Sequence, residues 1–353
     1  AAVSLIRPYV WKHAVYPAEQ RHARSLIDSH GSASDDFFKY ADDKSFFFSG
    51  DGSGVVSYGV STGTALVLGD PVARDAPSMR ATLDEFLDFV DAHGWHPAFH
   101  HATPTHLQLY RDAGLIPLKI GAEAIVDLDA FTLAGKHGKN FRSTIARFTR
   151  DGYRAVFTEP PIPAAKVAQL REVSNEWLTL DGRRERGFTL GRFSDEYVAR
   201  SPIVSLESAD GRIEAFMNVI PDGVPGEITF DLMRHRVNAP NSSVDFVVLA
   251  AFRYAQERGF HRASLGMVPF AEVGTDPNAA LRERALARLT ERFNHYFAAT
   301  SLYAYKDKFH PTWEPRYLVY SGDAWLPSIG LAISRLTEKP LTAVSSSSGA
   351  DHD

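Results

Sequence analysis

Three charged residues in the C-terminal half of the chain could together support the transfer of an acyl group. Asp231 and Arg234 lie three residues apart at the end of an apparent strand, where they can form one joint anchor for a polar substrate. Lys306 lies in the segment 303–313, which we interpret as a lysine-rich strand that meets the pair only through folding. Acyl transfer needs a proton acceptor, a cation for the developing oxyanion and an anion for an ammonium group. The trio supplies these groups, which indicates a transferase.

The roles within the trio stay open between alternatives. Arginine suits bidentate contacts with a phosphate, and a partly desolvated lysine can have its pKa lowered enough to exchange protons. We expect Arg234 or Lys306 at a phosphate or oxyanion, and Asp231 either as the base or as the group that holds an ammonium. Five further polar side chains are candidates for substrate binding in the same pocket: Asp245, Glu291, Asn294, Tyr303 and Lys308.

A purely structural interpretation competes with the catalytic one. Asp231 and Arg234 can form an ion pair that closes a strand, and Lys306 can belong to a solvated edge strand that its charge protects against pairing. Spacing alone favours this structural interpretation, and the family resemblance given below reverses that preference.

Length, charge and cysteine content restrict the class of protein. A chain of 353 residues exceeds what one hydrophobic core usually organises, so we expect two domains. The net charge of −5 argues against a polycation that coats nucleic acid, but it permits a local basic face. Because the sequence has no cysteine, disulfides, zinc thiolate sites and cysteine nucleophiles are excluded. The apolar runs are too short to span a bilayer, so we expect a soluble fragment, cut from something longer.

The first part of the chain alternates strand and helix patterns. Strands are predicted at 46–48, 55–58, 65–68, 97–101 and 115–128, and helices at 79–92 and 104–111. Gly121 marks a bulge within the last of these strands. Residues 1–135 are therefore predicted to form a first α/β domain.

A basic segment, 136–154, heads the predicted second domain, 136–340, because its lysines and arginines face only Asp151 as an opposing charge. The strand and helix order then returns. Strands are predicted at 154–158, 203–208, 212–220, 228–233 and 262–265, and helices at 164–178, 243–257 and 279–297. The serine-rich residues 341–353 are predicted to form a disordered tail.

The neighbouring residues argue against three other kinds of site. Residues 59–63 match the Gly-x-Ser-x-Gly hydrolase pattern, but they lead into a second strand and not into a helix, which indicates a hairpin turn. A dense group of histidines suggests a metal, yet Pro97 breaks helical spacing and no acidic residue accompanies them. The histidines are His93, His96, His100, His101 and His106. A coenzyme A site needs a glycine-rich loop that starts a helix, and residues 186–191 have the wrong spacing, so no cofactor is expected.

An ordered set of C-terminal motifs resembles one known family. The set contains Asp231-Leu-Met-Arg234, Asp245-Phe246, Leu265-Gly-Met-Val-Pro-Phe270, residues 291–296, and Tyr305-Lys-Asp-Lys-Phe309 with Trp313. It is similar to the C-terminal cytosolic domain of the multiple peptide resistance factors, which are the aminoacyl-phosphatidylglycerol synthases of bacterial membranes. The resemblance runs from about residue 11 to about residue 320 and is looser before residue 136.

The resemblance implies an α/β (α+β) fold with two tandem acetyltransferase-like domains, each a mixed twisted sheet flanked by helices. It also implies the transfer of an amino acid from aminoacyl-tRNA to a glycerol hydroxyl of phosphatidylglycerol, without a cofactor, which confers resistance to cationic antimicrobial peptides. Complete members carry an N-terminal transmembrane flippase portion and work at the cytoplasmic face of the bacterial inner membrane. No residue distinguishes lysine from alanine as the transferred amino acid, and alanine is the first expectation.

With tRNA as donor, two basic faces become candidates for contacts with tRNA or lipid phosphate. Their members are Lys136, Lys139, Arg142, Arg284, Arg288 and Arg292. Because lipid and tRNA differ in size and polarity, we expect them to enter a shared cavity from opposite sides. Two alternatives are a Fem-type cell-wall peptidyltransferase that uses aminoacyl-tRNA and a non-catalytic module that binds anionic membrane or RNA.

Overall fold

The computed structural model describes residues 16–136, 138–274 and 299–338, and one mixed sheet draws strands from all three ranges. Its strands are β1 (Ser45–Phe48), β2 (Gly54–Ser61), β3 (Thr64–Leu68), β4 (Val72–Ala73), β5 (His96–Ala102), β6 (Ile116–Asp127), β7 (Arg154–Thr158), β8 (Ile203–Glu207), β9 (Ile213–Ile220), β10 (Glu227–His235), β11 (Arg262–Pro269) and β12 (Thr312–Tyr320). The helices are α1 (Pro17–His30), α2 (Ala76–Ala92), α3 (Leu107–Asp112), α4 (Lys139–Arg150), α5 (Ala164–Leu178), α6 (Asp195–Ala199), α7 (Ser243–Glu257), α8 (Ala299–Asp307) and α9 (Leu326–Glu338).

The sheet joins the two halves of the chain. Its strand order is β1-β2-β3-β5-β12-β6-β11-β10-β9-β8-β7, and β4 pairs with β2. Strand β12 lies antiparallel between β5 and β6, so a late segment completes the part of the sheet built by the first half. Two pairs are parallel, β3 with β5 and β10 with β11. The mixed α/β class is confirmed, whereas the division at residue 135 into two tandem domains stays a prediction.

Helices cover both faces of the sheet, and each face has its own core. On β9, Met217 packs into a cluster with residues of α4 and α7, while the adjacent Phe216 packs against α5 and α6. Tyr197 of α6 contacts this second cluster and also the one that contains α9. We call these two sides the α7 face and the α5 face. Because successive side chains of a strand point to opposite faces, one strand can present groups to both.

Strands β10 and β11 part in the middle of the sheet. They pair only from Glu227 with Arg262 to Thr229 with Ser264, after which β10 continues along β9 and β11 along β6. Each strand carries a bulge just beyond the last pair, between Phe230 and Met233 in β10 and between Ser264 and Met267 in β11. A bulge adds a residue and bends the strand, so the two bulges open a gap between neighbouring strands.

Most elements predicted from periodicity are confirmed, including α5 and α7 with the predicted bounds and the hairpin turn that joins β2 to β3. The predicted bulge at Gly121 is confirmed by the extra residue in β6 opposite Arg316 and Tyr317. The predicted lysine-rich strand is wrong, because Lys306 belongs to helix α8. Tyr305 in the last turn of α8 and Phe309, two residues beyond its end, both pack into the core of the α7 face. The predicted helix 279–297 and tail 341–353 lie outside the described residues. Helices α1, α6 and α9 and strands β4 and β12 were not predicted from the sequence.

Candidate active site

The Asp231 carboxylate lies on the α5 face, two residues beyond the last pair of β10 with β11. Its Oδ2 accepts a hydrogen bond of 2.6 Å from the Tyr197 hydroxyl, and its Oδ1 accepts one of 3.1 Å from the Gly191 backbone N–H. Burial raises the pKa of Asp231 to about 6, although these two hydrogen bonds and Arg234 act to lower it. The carboxylate is therefore ionised at neutral pH but basic enough to take a proton from a substrate hydroxyl.

The partners of Asp231 are fixed by their own packing. Tyr197 lies in α6, whose first turn is capped by the Ser194 side chain, and its ring stacks on Phe37 at 6.1 Å between centroids. Burial and the Asp231 carboxylate raise the pKa of Tyr197, so it stays a hydrogen-bond donor. A glycine is required at position 191, because an added Cβ would lie 2.1 Å from Oδ2 of Asp231. Asp231 therefore has a preorganised set of donors.

Arg234 lies on the same face as Asp231 because the β10 bulge shifts the alternation of side chains between them. Its guanidinium forms a bidentate ion pair with Glu185, at 2.7 and 2.8 Å, and donates to the Ser174 hydroxyl at 2.5 Å. The Trp177 ring lies 4.9 Å from the guanidinium carbon. Arg234 is buried, so the pair holds the loop that carries Glu185 against α5 and β10. A phosphate that approached Arg234 would have to displace Glu185.

Lys306 reaches the β11 side of the gap from helix α8. Its Nζ donates to the carbonyl oxygens of Gly266 and Met267, at 2.9 and 3.3 Å, which the β11 bulge exposes. Gly266 has a φ of 79°, a conformation that favours glycine. Burial lowers the pKa of Lys306 to about 8, and the negative charge of Glu123 acts against this shift. A buried ammonium that loses its proton not far above neutral pH can stabilise a developing negative charge or exchange a proton.

The structure brings Asp231 and Arg234 into one cluster and leaves Lys306 in a second one. The neighbours of Lys306, Tyr305 and Phe309, pack on the α7 face, whereas Asp231 and Arg234 belong to the α5 face. Among the described residues, no hydrogen bond or ion pair joins the two clusters, and the charge that acts on Lys306 is that of Glu123. Both clusters lie within a few residues of the point where β10 and β11 part. The shared role of the three residues stays a prediction.

A buried polar network that the sequence analysis missed lies beside the gap. Glu123 of β6 accepts hydrogen bonds from the hydroxyls of Ser34, at 2.5 Å, and Ser264, and it forms an ion pair with Arg316 of β12. Arg316 and Glu123 are both almost fully buried. No local spacing connects positions 34, 123, 264 and 316, so only the pairing of β6 with β11 and β12 could have identified them. Glu185 and Tyr197 were missed for the same reason.

Two of the predicted substrate-binding residues line one pocket on the α7 face. The pocket has a volume of about 290 Å³ and lies between α4, the start of α7 and the segment after α8. Its lining residues are Asn140, Phe141, Thr144, Ser242, Asp245 and Lys308. Lys308 forms an ion pair with Asp245 and lies 3.9 Å from the centre of the Tyr305 ring. Tyr303 lies elsewhere and stacks on Trp313 at 4.4 Å.

Helix α4 adds a cationic surface next to this pocket. Lys136, Lys139 and Arg142 are exposed, and the Arg142 side chain donates to the carbonyl oxygens of Leu133 and Gly135. Within the three described ranges, no carboxylate lies at ion-pair distance from these cations. The other predicted contacts, Glu291, Asn294, Arg284, Arg288 and Arg292, lie outside the described residues.

Metal and membrane features were sought in the same three ranges. No group of three or more histidine, aspartate or glutamate side chains in them is placed to hold a metal ion. His100 is buried, and burial lowers its pKa well below the usual value, while Nδ1 of His101 lies 3.4 Å from the Asp35 carboxylate. None of the helices described above has the length and apolar composition to cross a bilayer.

The mixed sheet, with helices on both faces, gives the protein an α/β fold that is similar to the fold of FemX. The structure matches FemX with a TM-score of 0.55 at 10% sequence identity, over 89% of this chain and 98% of FemX, which is evidence of fold alone. Residues 24–320 match the family model described as phosphatidylglycerol lysyltransferase, C-terminal, and the chain belongs to that family.

Individual relatives agree with this assignment. The phosphatidylglycerol lysyltransferase of Bacillus subtilis (strain 168) is 33% identical over 322 residues, which cover 91% of this chain and 37% of the relative. The solved structure of L-PGS from Bacillus licheniformis matches with a TM-score of 0.79 at 33% identity and covers 90% of this chain and 95% of that one. The chain thus spans little more than a third of the length of the curated relatives it matches.

Proposed function

We propose that this chain transfers an aminoacyl group from aminoacyl-tRNA to a glycerol hydroxyl of phosphatidylglycerol. The observation that carries the proposal is the Asp231 carboxylate, whose pKa is about 6 and which lies at the gap between β10 and β11. Membership of the phosphatidylglycerol lysyltransferase family supports the same reaction class. The exchange of one ester for another needs no external energy, so the site has to supply a base and charge stabilisation.

The proposed reaction has two proton transfers. Asp231 takes the proton of the glycerol hydroxyl as its oxygen attacks the ester carbonyl, and the ammonium of Lys306 stabilises the oxyanion that forms. The carbon–oxygen bond to the tRNA ribose then breaks, and the ribose oxygen takes up the proton. Arg234 acts through Glu185, because the pair holds the loop whose Gly191 N–H orients Asp231. In this scheme Arg234 is a positioning residue.

The donor tRNA is proposed to bind on the α7 face. Lys136, Lys139 and Arg142 form an exposed cationic surface suited to backbone phosphates. The neighbouring pocket offers the carboxylate of Asp245 and the ammonium of Lys308, which suit the hydroxyls and phosphate of a single-stranded RNA end. Lys306 lies two residues from Lys308 and approaches the gap from the same side, which would join the RNA end to the reaction centre.

Lysine is proposed as the transferred amino acid, in place of alanine. The relatives are named for lysine. A second ammonium needs a buried acid that is ionised at neutral pH, and the α5 face offers Asp222 near the gap, because burial raises the pKa of Asp222 only to about 6. Asp222 bonds the Thr229 hydroxyl, and Thr229 is two residues from Asp231 in β10.

In the cell, the chain is proposed to act at the cytoplasmic face of the bacterial inner membrane, next to an N-terminal transmembrane flippase portion. An added lysyl group brings ammonium groups to an anionic headgroup. A membrane with less negative charge attracts cationic antimicrobial peptides less strongly, which is the proposed basis of resistance.

A radiolabel transfer assay tests the proposal. Purified tRNA charged with lysine or with alanine is incubated with the protein and either phosphatidylglycerol or a cell-wall precursor, and the label in each acceptor is counted. We expect transfer of lysine to phosphatidylglycerol, its loss in Asp231→Asn and its retention in Asp210→Asn, an exposed carboxylate in the β8–β9 turn. Transfer to the wall precursor would support a Fem-type peptidyltransferase, for which the FemX fold is the supporting observation. RNA binding without transfer to either acceptor would support a non-catalytic module.

A further inference from the structure

The loop between α5 and α6 connects the reaction centre to the outer surface of the α5 face. At its inner side, Glu185 binds Arg234 and the Gly191 N–H binds Asp231. At its outer side, the Gly187 N–H donates to the Thr337 carbonyl of α9 at 2.8 Å. The Phe188 ring is buried under α9. Helix α9 and this loop therefore form one continuous surface next to Asp231.

This surface carries a concentration of arginines. Arg183 and Arg186 are exposed in the loop, and Arg335 is exposed on α9. Arg184 forms an ion pair with Glu338 at 2.6 Å, and Glu185 is already bound to Arg234. Although Arg186 is exposed at the surface, partial desolvation lowers its pKa, and repulsion from Arg184 and Arg183 acts in the same direction while Glu338 acts against it. An anion at the surface would relieve that repulsion.

Two large apolar side chains project from the same face. Leu190 in the loop is 46% exposed and Leu331 on α9 is 45% exposed. A pocket of about 450 Å³ lies between the end of β2 and the last two turns of α9, and Arg335 and Leu336 are among its lining residues. Cations next to exposed apolar groups are the combination found on surfaces that bind anionic bilayers.

We propose that this surface, the arginine edge formed by Arg183, Arg186, Leu190, Leu331 and Arg335, docks on an anionic lipid bilayer. The inference rests on the proposed function and adds the route of the acceptor, which reaches Asp231 along the loop from the α5 face. The arginines bind headgroup phosphates, and the leucines enter the boundary between headgroups and acyl chains. The cationic surface of α4 lies on the α7 face, so lipid and RNA approach from opposite sides of the sheet.

A bilayer fits this edge better than RNA does. Exposed leucines gain free energy in an acyl environment, whereas an RNA backbone offers them no apolar partner. The exposed large apolar residues of the described chain include Leu190 and Leu331 but none from α4. The α4 surface has the opposite character, with cations and no exposed leucine, as expected for phosphate contacts alone.

Vesicle sedimentation tests the docking directly. The unaltered protein is expected to bind vesicles of equimolar phosphatidylglycerol and phosphatidylcholine but not vesicles of phosphatidylcholine alone. Removing a surface arginine weakens binding by about fivefold, so Arg183→Ser/Arg186→Ser is expected to lower the partition coefficient roughly 25-fold. The matched control Arg111→Ser/Arg253→Ser removes the same charge from α3 and α7 and is expected to bind like the unaltered protein. Equal binding by both double variants would overturn the proposal.

The leucine variant and the form of the acceptor separate docking from catalysis. Leu190→Ser/Leu331→Ser is expected to lose binding that persists at high salt, because the apolar contribution is not screened. The arginine double variant is expected to lose transfer to phosphatidylglycerol in vesicles but to keep transfer to short-chain phosphatidylglycerol dissolved in buffer. Equal loss of transfer with both acceptors would show a role in the reaction centre and contradict docking. Loss of RNA binding in this variant, with vesicle binding retained, would also contradict docking. Absence of transfer to either acceptor by the unaltered protein would refute the proposed function, while vesicle sedimentation would still report on the arginine edge.

Discussion

Replacing Tyr197 with phenylalanine removes one hydrogen bond from the Asp231 carboxylate and leaves the packing in place. The ring stacks on Phe37 and contacts two apolar clusters, and these contacts do not involve the hydroxyl. The hydroxyl donates to Asp231 at 2.6 Å and acts to lower the pKa of that carboxyl. We therefore expect Tyr197→Phe to raise the pKa of Asp231 above its value of about 6.

The size of the shift follows from the energy of a hydrogen bond to a charged group, which is on the order of 2 kcal/mol. Because one pKa unit corresponds to about 1.4 kcal/mol, the pKa of Asp231 should rise by roughly 1.5 units, to about 7.5. The ionised fraction at about pH 7 then falls from about 0.9 to about 0.25. Transfer near neutral pH should drop about fourfold and recover in more alkaline buffer.

The pH dependence of kcat/KM for lysyl transfer measures this shift. The acidic limb of the profile should move from about pH 6 to about pH 7.5 in Tyr197→Phe. Because the pKa of Lys306 is about 8, the alkaline limb follows closely and the maximum of the profile should fall about twofold. Tyr254→Phe is the matched control, since the Tyr254 hydroxyl donates to Glu159 on the surface. An unmoved acidic limb, or a loss of rate that is the same at every pH, would refute the role of Asp231 as the base.

Three further substitutions test the second cluster and the buried ion pairs. Lys306→Met keeps an unbranched side chain but removes the ammonium, so kcat should fall about 10²–10³-fold. The alkaline limb of the pH profile, near pH 8, should also disappear. An unchanged pH profile would exclude Lys306 from the reaction. Glu185→Ala leaves the buried Arg234 guanidinium without its partner and should lower the free energy of unfolding in urea by about 3 kcal/mol. A loss below about 0.5 kcal/mol would show that the ion pair does not stabilise the fold. Arg316→Met leaves the buried Glu123 carboxylate without its ion-pair partner and should lower the free energy of unfolding in urea by about 3–5 kcal/mol. A loss below about 0.5 kcal/mol would contradict a buried pair at this position.

Local sequence patterns predicted the elements but not the contacts between them. Helices α5 and α7 follow from apolar periodicity and from the residues that end them, and the β2–β3 hairpin follows from its turn residues. The segment 303–313 was interpreted as a lysine-rich strand, whereas residues up to Asp307 form helix α8. The pattern of apolar residues in so short a segment fits both the helical and the strand period, and tertiary packing decides which of the two forms.

The candidate site shows the same division. Asp231, Arg234 and Lys306 were predicted from residue types and from the family resemblance. Their immediate partners were not, because Glu185 lies 49 residues from Arg234 and Lys306 meets β11 40 residues away. The strand order and two bulges bring these residues together, and no local sequence pattern encodes either feature.

A double-mutant cycle of Asp231→Asn and Lys306→Met tests most directly whether the two sides of the gap serve one reaction. The measurement is single-turnover transfer of radiolabelled lysine from charged tRNA to phosphatidylglycerol by the unaltered protein, both single variants and the double variant. If Asp231 and Lys306 act on the same transition state, each single variant loses most of the rate and the double variant is no slower than the slower single one. Losses that multiply in the double variant, or a single variant that retains full transfer, would contradict the account.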